Sequence, residues 1–422
     1  EKEKEKIMKI FLLTVIFLIL FSVTGFGQLS KSVLFIGNSY TASYNLPLLI
    51  SQMANSTGDN LRYSSQTPGG AQFTQHATNP LVISEISSRR WDHIVLQEQS
   101  QKPSFAPSYV ASNVFPFAKL LCDTIRYFDS CTQPIFFMTW GRKNGDAGNC
   151  PTAPWLCTYQ GMDSALAVSY NTMANQNDAF LAPVGAAWNY IRINHPLIDL
   201  YSSDNSHPSI EGSFAAAATF YTVLFRKDPT LISFNSTLSP GDAQTIKQAV
   251  KSVVYDSLSK WKIGEFDPLA NFGYHTFGPS IVFSDSSLLA SSYTWSFGDG
   301  NSSTQQNPTH TYSASGVYPV QLVVTNCGSR DSIRKSIVVH VPIGVKENKN
   351  PAIRIYPNPS KNGILTIKSP ISSRLNVYST QNKLVGTFTI QPGVNELEGH
   401  TFSSGLYYLQ FDTVKIVKWI VE

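Results

Sequence analysis

The chain has 422 residues, too many for one typical domain, and its 42% hydrophobic and 12% aromatic content is enough for two or three cores. Only 14% of residues are charged, the formal net charge is +4 and no basic stripe occurs, which argues against nucleic acid as a partner. Abundant Ser, Thr and Asn beside so few charges give the chain the look of an extracellular protein.

In chain order, Lys9 precedes the apolar run of residues 10–23, and Gly25-Phe26-Gly27 offers a small-x-small cleavage site before Gln28. Residues 1–27 therefore read as a secretory signal peptide, with Met8 the expected start. The apolar run is short for a span of roughly 20 residues, so no permanent membrane span is expected. Export is expected to carry the chain through the periplasm to a secreted or cell-surface location.

Residues 31–262 alternate apolar strands with helical stretches. Val33-Leu34-Phe35-Ile36 is a continuous apolar run, as in a strand buried on both faces of a parallel sheet. A helix is expected over 46–54, strands over 61–65, 93–97, 134–139 and 179–183, and helices over 110–127, 162–174 and 210–225. This alternation predicts a doubly wound α/β sheet with its site at the carboxyl ends of the strands.

The pattern changes near Phe266. Tyr293-Thr294-Trp295-Ser296-Phe297 alternates and then turns at Gly298-Asp299-Gly300-Asn301, with further strands over 317–324 and 337–339. Residues 266–343 thus read as a small β-sandwich. Residues 344–352, with Lys346, Glu347, Lys349 and Pro351, read as a linker, and residues 353–422 are again all β.

Five cysteines in an exported chain suggest disulfides and one thiol left over. Cys150 and Cys157 flank a loop-like segment and form a local pair. Cys122 and Cys131 are the expected second pair, with Cys327 the odd one. No Cys-x-x-Cys spacing occurs, so neither a metal nor another cofactor is expected.

A serine hydroxyl needs a base to take its proton, and the base needs an acceptor that fixes its tautomer. Ser39 follows the buried run 33–36 in Gly37-Asn38-Ser39-Tyr40-Thr41, which puts its hydroxyl at the carboxyl edge of the sheet. Asp204-Asn205-Ser206-His207 carries a carboxylate and an imidazole three residues apart, ahead of Pro208 and the small-residue run 212–218. Ser39 is the candidate nucleophile, His207 the base and Asp204 its orienter. Each motif alone is weak, since a serine after a strand is commonly a cap and a loop histidine is commonly solvated. Their occurrence at matching places in one β-α series is what carries the reading.

These two stretches resemble the first and last blocks of the SGNH (GDSL-like) hydrolases. The resemblance implies a flavodoxin-like three-layer fold and ester hydrolysis through Ser39. It also implies an oxyanion hole built from the Ser39 N–H, a glycine N–H of a second block and an amide side chain of a third. Thr67-Pro68-Gly69-Gly70-Ala71 matches the second block, with Gly70 or Gly69 the donor. The third block departs from the family pattern: Leu96-Gln97-Glu98-Gln99-Ser100-Gln101 has no asparagine. Gln101 is favoured by gap-free alignment, with Gln99 or Gln97 as alternatives; a glutamine amide donates the same bond with one more methylene of reach. Trp140 and Arg142, after another strand, are candidates to touch substrate, although plain packing explains both.

Trp295-Ser296-Phe297-Gly298-Asp299-Gly300, with His310-Thr311-Tyr312 and Gly316-Val317-Tyr318, resembles a PKD domain, an immunoglobulin-like sandwich often attached to secreted degradative enzymes. Asp299 and Gly300 are read as turn residues. Tyr356-Pro357-Asn358-Pro359, Gly405-Leu406-Tyr407-Tyr408 and the lysine-bearing last strand resemble the C-terminal sorting domain of the type IX secretion system, which implies that machinery as a partner.

The expected function is a secreted serine esterase acting on acyl, particularly acetyl, esters of small molecules or polysaccharide. The alternative is a catalytically weak or inactive surface glycan-binding protein on the same fold, suggested by the altered third block.

Overall fold

The computed structural model describes residues 28–341, 353–361, 364–397, 402–412 and 416–422. The signal expected over 1–27 and the linker expected over 344–352 fall outside the described residues. The chain divides after Phe266 into two compact units.

The first unit is built on five parallel strands: β1 (Ser30–Ile36), β2 (Asn60–Gln66), β3 (His93–Leu96), β4 (Gln133–Phe137) and β5 (Phe180–Ala182). Their order is β2-β1-β3-β4-β5. Val33 to Ile36, Ile94 to Leu96 and Ile135 to Phe137 are wholly buried, as their unbroken apolar runs demand of strands covered on both faces. The long helices are α1 (Leu46–Ser56), α2 (Phe115–Phe128), α3 (Tyr159–Gln176), α4 (Val184–Asn194), α5 (Ile210–Phe225) and α6 (Pro240–Val253). The step from β1 to β2 runs one way along the sheet and every later step the other way. Right-handed crossovers therefore put α1 on one face and α2 and α3 on the opposite face. Helices α4, α5 and α6 close the layer of α1.

Helix α5 is buried along its length from Gly212 to Phe225. Ser209 caps it, its Oγ accepting the Gly212 N–H at 3.0 Å. Gly212 is dictated by packing: a Cβ there would lie 2.2 Å from the Leu200 carbonyl oxygen and 2.5 Å from the Trp188 ring.

The helix expected over 110–127 is two helices, Pro107–Asn113 and α2, broken at Val114. Pro116 lies in the first turn of α2, and its missing N–H and ring preclude a continuous helix. Helices Pro80–Ser87, α4 and α6 go beyond the sequence expectation.

The second unit holds two antiparallel sandwiches. In the first, β6 (Phe272–Phe277), β7 (Ser280–Asp285) and β10 (Thr309–Thr311) form one sheet. The other sheet joins β8 (Ser292–Ser296), β9 (Ser302–Ser303), β11 (Gly316–Asn326) and β12 (Ser329–Val339). Alternate residues Val320, Leu322 and Val324 of β11 meet Phe272, Phe283 and Trp295 in the core. In the second sandwich, one sheet is β13 (Arg354–Tyr356), β14 (Leu365–Ser369) and β17 (Gly393–Leu397). The other is β15 (Ser373–Ser379), β16 (Leu384–Ile390), β18 (Gly405–Phe411) and β19 (Ile416–Val421). Its core gathers Leu365, Ile367, Leu375, Val377, Leu409 and Trp419. The architecture is thus a parallel α/β fold followed by antiparallel β modules.

Cys150 and Cys157 form the expected local disulfide. The rest of the cysteine expectation is corrected. Cys122 is the free thiol, and Cys327 is not the odd one out. Cys122 sits on the buried face of α2 between Leu121 and Ile125, where it packs as a small apolar residue. Burial pushes its thiol up to about 12. Among the described residues no helix is long and apolar enough to cross a membrane.

Candidate active site

The strand order reverses between β1 and β3, which opens a crevice beyond their carboxyl ends. The turn after β1 carries Gly37-Asn38-Ser39, and the turn after β3 carries Gln97-Glu98. Gln97 locks the two together. Its Oε1 accepts the Asn38 N–H at 3.0 Å and the Thr41 hydroxyl at 2.9 Å. Its Nε2 donates to Asn38 Oδ1 at 2.9 Å and to the Glu98 carbonyl. Asn38 in turn caps the short helix Ser39–Ala42, accepting the Tyr40 N–H at 3.1 Å. A Cβ on Gly37 would lie 2.6 Å from Thr41 Oγ1 and 2.7 Å from Gln97 Oε1, so the approach of the two turns requires glycine there.

The Asp204–His207 segment builds its own turn. Asp204 Oδ1 accepts the backbone N–H groups of Ser206 and His207 at 3.0 and 2.9 Å, and Asn205 adopts a left-handed φ of 58°. Short polar side chains tolerate that conformation, and an aspartate accepting from residues two and three ahead is an Asx-type turn. The turn is fastened outward by the Lys143 N–H, which donates to the Asn205 carbonyl at 2.9 Å.

Asp204 Oδ2 remains for the imidazole and lies 2.5 Å from His207 Nδ1. His207 Nε2 lies 2.9 Å from Ser39 Oγ. A carboxylate on Nδ1 holds the proton on that nitrogen and leaves the Nε2 lone pair facing the hydroxyl. Partial burial pushes the Asp204 carboxyl upward. The bonds from the His207 ring and from the two backbone N–H groups outweigh it and hold the group below its ordinary value. Ser39, His207 and Asp204 are thus brought into one line across a sequence separation of 168 residues.

The candidate oxyanion donors fare differently. Gly70 has a left-handed φ of 67° in the turn after β2, and the neighbouring Ala71 carbonyl accepts Asn38 Nδ2 at 3.0 Å. The turn is thereby drawn beside the one that holds Ser39. Gly69 shares it. Gln97 is wholly buried with both amide hydrogens used, so it has no donor for a substrate. Gln99 Oε1 accepts the N–H groups of Gln101 and Lys102 at 2.8 and 3.1 Å, and its Nε2 donates to Gln101 Oε1 at 3.1 Å. Gln101 Nε2 donates to Asp146 Oδ2 at 2.6 Å. Gln99 and Gln101, both half-buried, each keep a second amide hydrogen.

Several residues around the centre carry no short sequence signal. Tyr40 is buried, with its hydroxyl 2.8 Å from Ser206 Oγ and its ring edge-on to His207 at 5.3 Å. It stacks on Trp140 at 4.7 Å, and Trp140 stacks on Trp188 at 3.7 Å. Trp140 Nε1 donates to the Ser206 carbonyl at 3.1 Å. Trp140 is therefore a wholly buried prop for the histidine loop rather than a residue that touches substrate. Arg142 is half-buried, pairs with Asp146 Oδ1 at 3.3 Å and lowers the Tyr40 hydroxyl that burial raises. Asp146 is buried under it. Burial acts upward on that carboxyl, and hydrogen bonds from Asn149 and Gln101 with the Arg142 charge bring it below its ordinary value. A cavity of about 640 Å³ lined by Phe105, Val110, Phe115, Trp155 and Val168 includes none of the triad. Among the described residues no group of three or more His, Cys, Asp and Glu is placed to hold a metal.

Ser39, His207 and Asp204 thus form one hydrogen-bonded line at the switch point of a sheet in the flavodoxin strand order. Residues 279–341 match the PKD domain, and residues 354–422 match the Secretion system C-terminal sorting domain. Those two modules are accordingly a PKD domain and a secretion sorting tail. Among solved structures, a DUF4886 family protein from Bacteroides uniformis is similar at 16% identity and a TM-score of 0.46, over 53% of this chain and 94% of that one. A protein from Slackia heliotrinireducens described as an SGNH hydrolase is 24% identical with a TM-score of 0.38, over 46% of this chain and 97% of its own. The PKD1 domain of a Vibrio cholerae metalloprotease is 33% identical over 18% of this chain and 98% of that domain, with a TM-score of 0.17. Collagenase ColA from Bacillus cereus is 49% identical over 41 residues, which is 10% of this chain and 4% of the collagenase.

Proposed function

We propose that the first domain is a serine ester hydrolase exported by way of the C-terminal sorting module. The observation that carries the reading is the unbroken line from Ser39 Oγ through the His207 ring to Asp204, with contacts of 2.9 and 2.5 Å. His207 Nε2 takes the Ser39 proton as Oγ attacks the ester carbonyl carbon. Asp204 stabilises the resulting imidazolium without itself taking a proton. The tetrahedral oxyanion is met by the Ser39 and Gly70 N–H groups and by the free amide hydrogen of Gln101 or Gln99. Collapse expels the alcohol, which leaves with the proton from Nε2. Water then enters on the same base and releases the acid and Ser39.

The substrate class is acyl esters, with acetyl groups on polysaccharide the leading case because the PKD module commonly accompanies enzymes that act on polymers. A second reading, a weak or inactive glycan-binding protein, is favoured by the commitment of Gln101 to Asp146 and of Gln99 to Gln101. Turnover of aryl acetates and acetylated glycans separates the two. The esterase reading requires that Ser39→Ala abolish turnover with folding intact, and equal rates for the variant and the parent chain would overturn it.

A further inference from the structure

Glu98 takes no part in the proton relay, yet its side chain is wholly buried at the floor of the crevice. Its two carboxylate oxygens lie 3.1 and 3.2 Å from the Phe73 nitrogen, and Oε1 also accepts the Gln99 N–H at 2.6 Å. Phe73 closes the Gly69-Gly70 turn and Gln99 begins the glutamine loop. The backbone carbonyl of the same residue accepts Asn38 Nδ2 at 3.4 Å and Gln97 Nε2, so Glu98 is also tied to the turn that bears Ser39. One residue therefore joins all three segments that would surround an oxyanion.

We propose that Glu98 is a positioning residue for the hydrolysis: as a carboxylate it holds the Gly70 turn and the Gln99–Gln101 loop in register with Ser39. This rests on the esterase reading above. The chemical reason is the acceptor count. A carboxylate has about four acceptor sites and accepts N–H groups from two loops at once. A carboxylic acid turns Oε2 into an O–H donor that faces the Phe73 N–H, so Phe73 keeps only Oε1, which it shares with Gln99, and both anchors weaken.

The titratable groups that act on it are Lys102 from the loop that follows and Tyr170 from α3, and His76 ends the short helix Phe73–His76 whose first N–H Glu98 accepts. Lys102 Nζ donates to Gln72 Oε1, and His76 Nε2 is engaged with the Gly37 carbonyl at 2.8 Å. Burial pushes the Glu98 carboxyl up to about 7, against the lowering by the Gln99 and Phe73 N–H groups and by Lys102. Its charge thus changes within the neutral range. The stability it contributes is complete below the ordinary glutamate value and is lost as pH rises through about 7, because the folded state favours the neutral acid. Activity depends on the opposite form, so the two run against each other across that window.

The test uses the full chain with an aryl acetate. Turnover requires an unprotonated base and is roughly 10- to 100-fold slower with Glu98 protonated, so the acid limb of log kcat should steepen toward a slope of two before the residual activity of the protonated form returns it to one. In Glu98→Gln, kcat should fall roughly 10- to 100-fold with KM within about twofold, and the slope should drop to one. The unfolding midpoint of that variant at pH 8 should not fall below that of the parent chain. Glu98→Asp keeps the carboxylate and should restore the slope of two. A slope of one throughout the acid limb of the parent chain overturns the inference even where Glu98→Gln fails to fold, and so does a Gln variant with unchanged kcat. Ser39→Ala read in parallel separates the outcomes: if it retains turnover, the esterase reading falls and this inference with it. If it is inactive while the parent slope is one, this inference falls alone.

Discussion

The two units bury polar groups in different ways. In the first, Asn38, Gln97, Glu98, Ser100 and Asp146 are all buried on segments that leave the carboxyl ends of β1, β3 and β4. In the last sandwich the buried polar residues are serines such as Ser360, Ser369 and Ser373, and Ser360 Oγ accepts the Trp419 indole N–H at 2.6 Å. The first pattern places hydrogen-bonding and ionisable groups, at a desolvation cost, around one crevice. The second satisfies the polar atoms of a packed sheet and goes no further. Buried ionisable groups gathered at one sheet edge are candidates for chemistry, whereas Asp59 and Lys247, buried elsewhere in the same unit, are satisfied by Lys227 and the Ile232 carbonyl.

The crevice of the first unit is tested most directly at Ser39. Ser39→Ala should reduce turnover by about 10⁴- to 10⁶-fold with no change in the unfolding midpoint, read by steady-state hydrolysis and circular dichroism. Asp204→Asn comes next. It keeps the turn but loses the acceptor that fixes the His207 tautomer, and kcat should drop roughly 10³- to 10⁴-fold. The glutamines sharpen the picture further. Whichever of Gln99→Ala and Gln101→Ala removes the true oxyanion donor should lose about 10²- to 10³-fold in kcat, with the other much less affected.

The smallest effect lies outside the first unit. Asp299 accepts the Asn301 N–H at 3.0 Å and lies 2.7 Å from His310 Nε2, whose ring stacks on Phe297 at 4.2 Å. Asp299→Ala should destabilise the PKD module by about 1–3 kcal/mol in a melting experiment and leave ester turnover within about twofold. A large loss of turnover there would show that polar contacts of the second unit also bear on ester hydrolysis.

The sequence made part of this visible for definite reasons. The unbroken runs of β1 and β4 announce strands covered on both faces, and the alternation of β11 announces a strand with one face in a core. Ser39, Asp204 and His207 are legible because each belongs to a short local pattern. Glu98 is not, since a glutamate at a strand end usually faces water and only the fold shows Phe73 and Gln99 turning their N–H groups to it. The stack of Tyr40, Trp140 and Trp188 draws on three distant segments and leaves no local trace. The pairing of Cys122 with Cys131 is misleading for a similar reason: the spacing fits a bridge, but helical phase puts Cys122 in the core, while the local Cys150–Cys157 pair is legible. Pro116 is the sequence sign of the break at Val114, inside a stretch whose periodicity is otherwise helical.

Asp204 and His207 lie three residues apart and meet through hydrogen bonds internal to four residues, whereas Ser39 is 168 residues away. The chain thus has one distant gap to close to complete the triad rather than two, and the entropy of loop closure is spent once. The Asp204–His207 pair is closed on itself: a residue inserted in an exposed turn between Tyr40 and Trp140 lengthens the gap without altering the pair, while one added inside it parts Asp204 from His207.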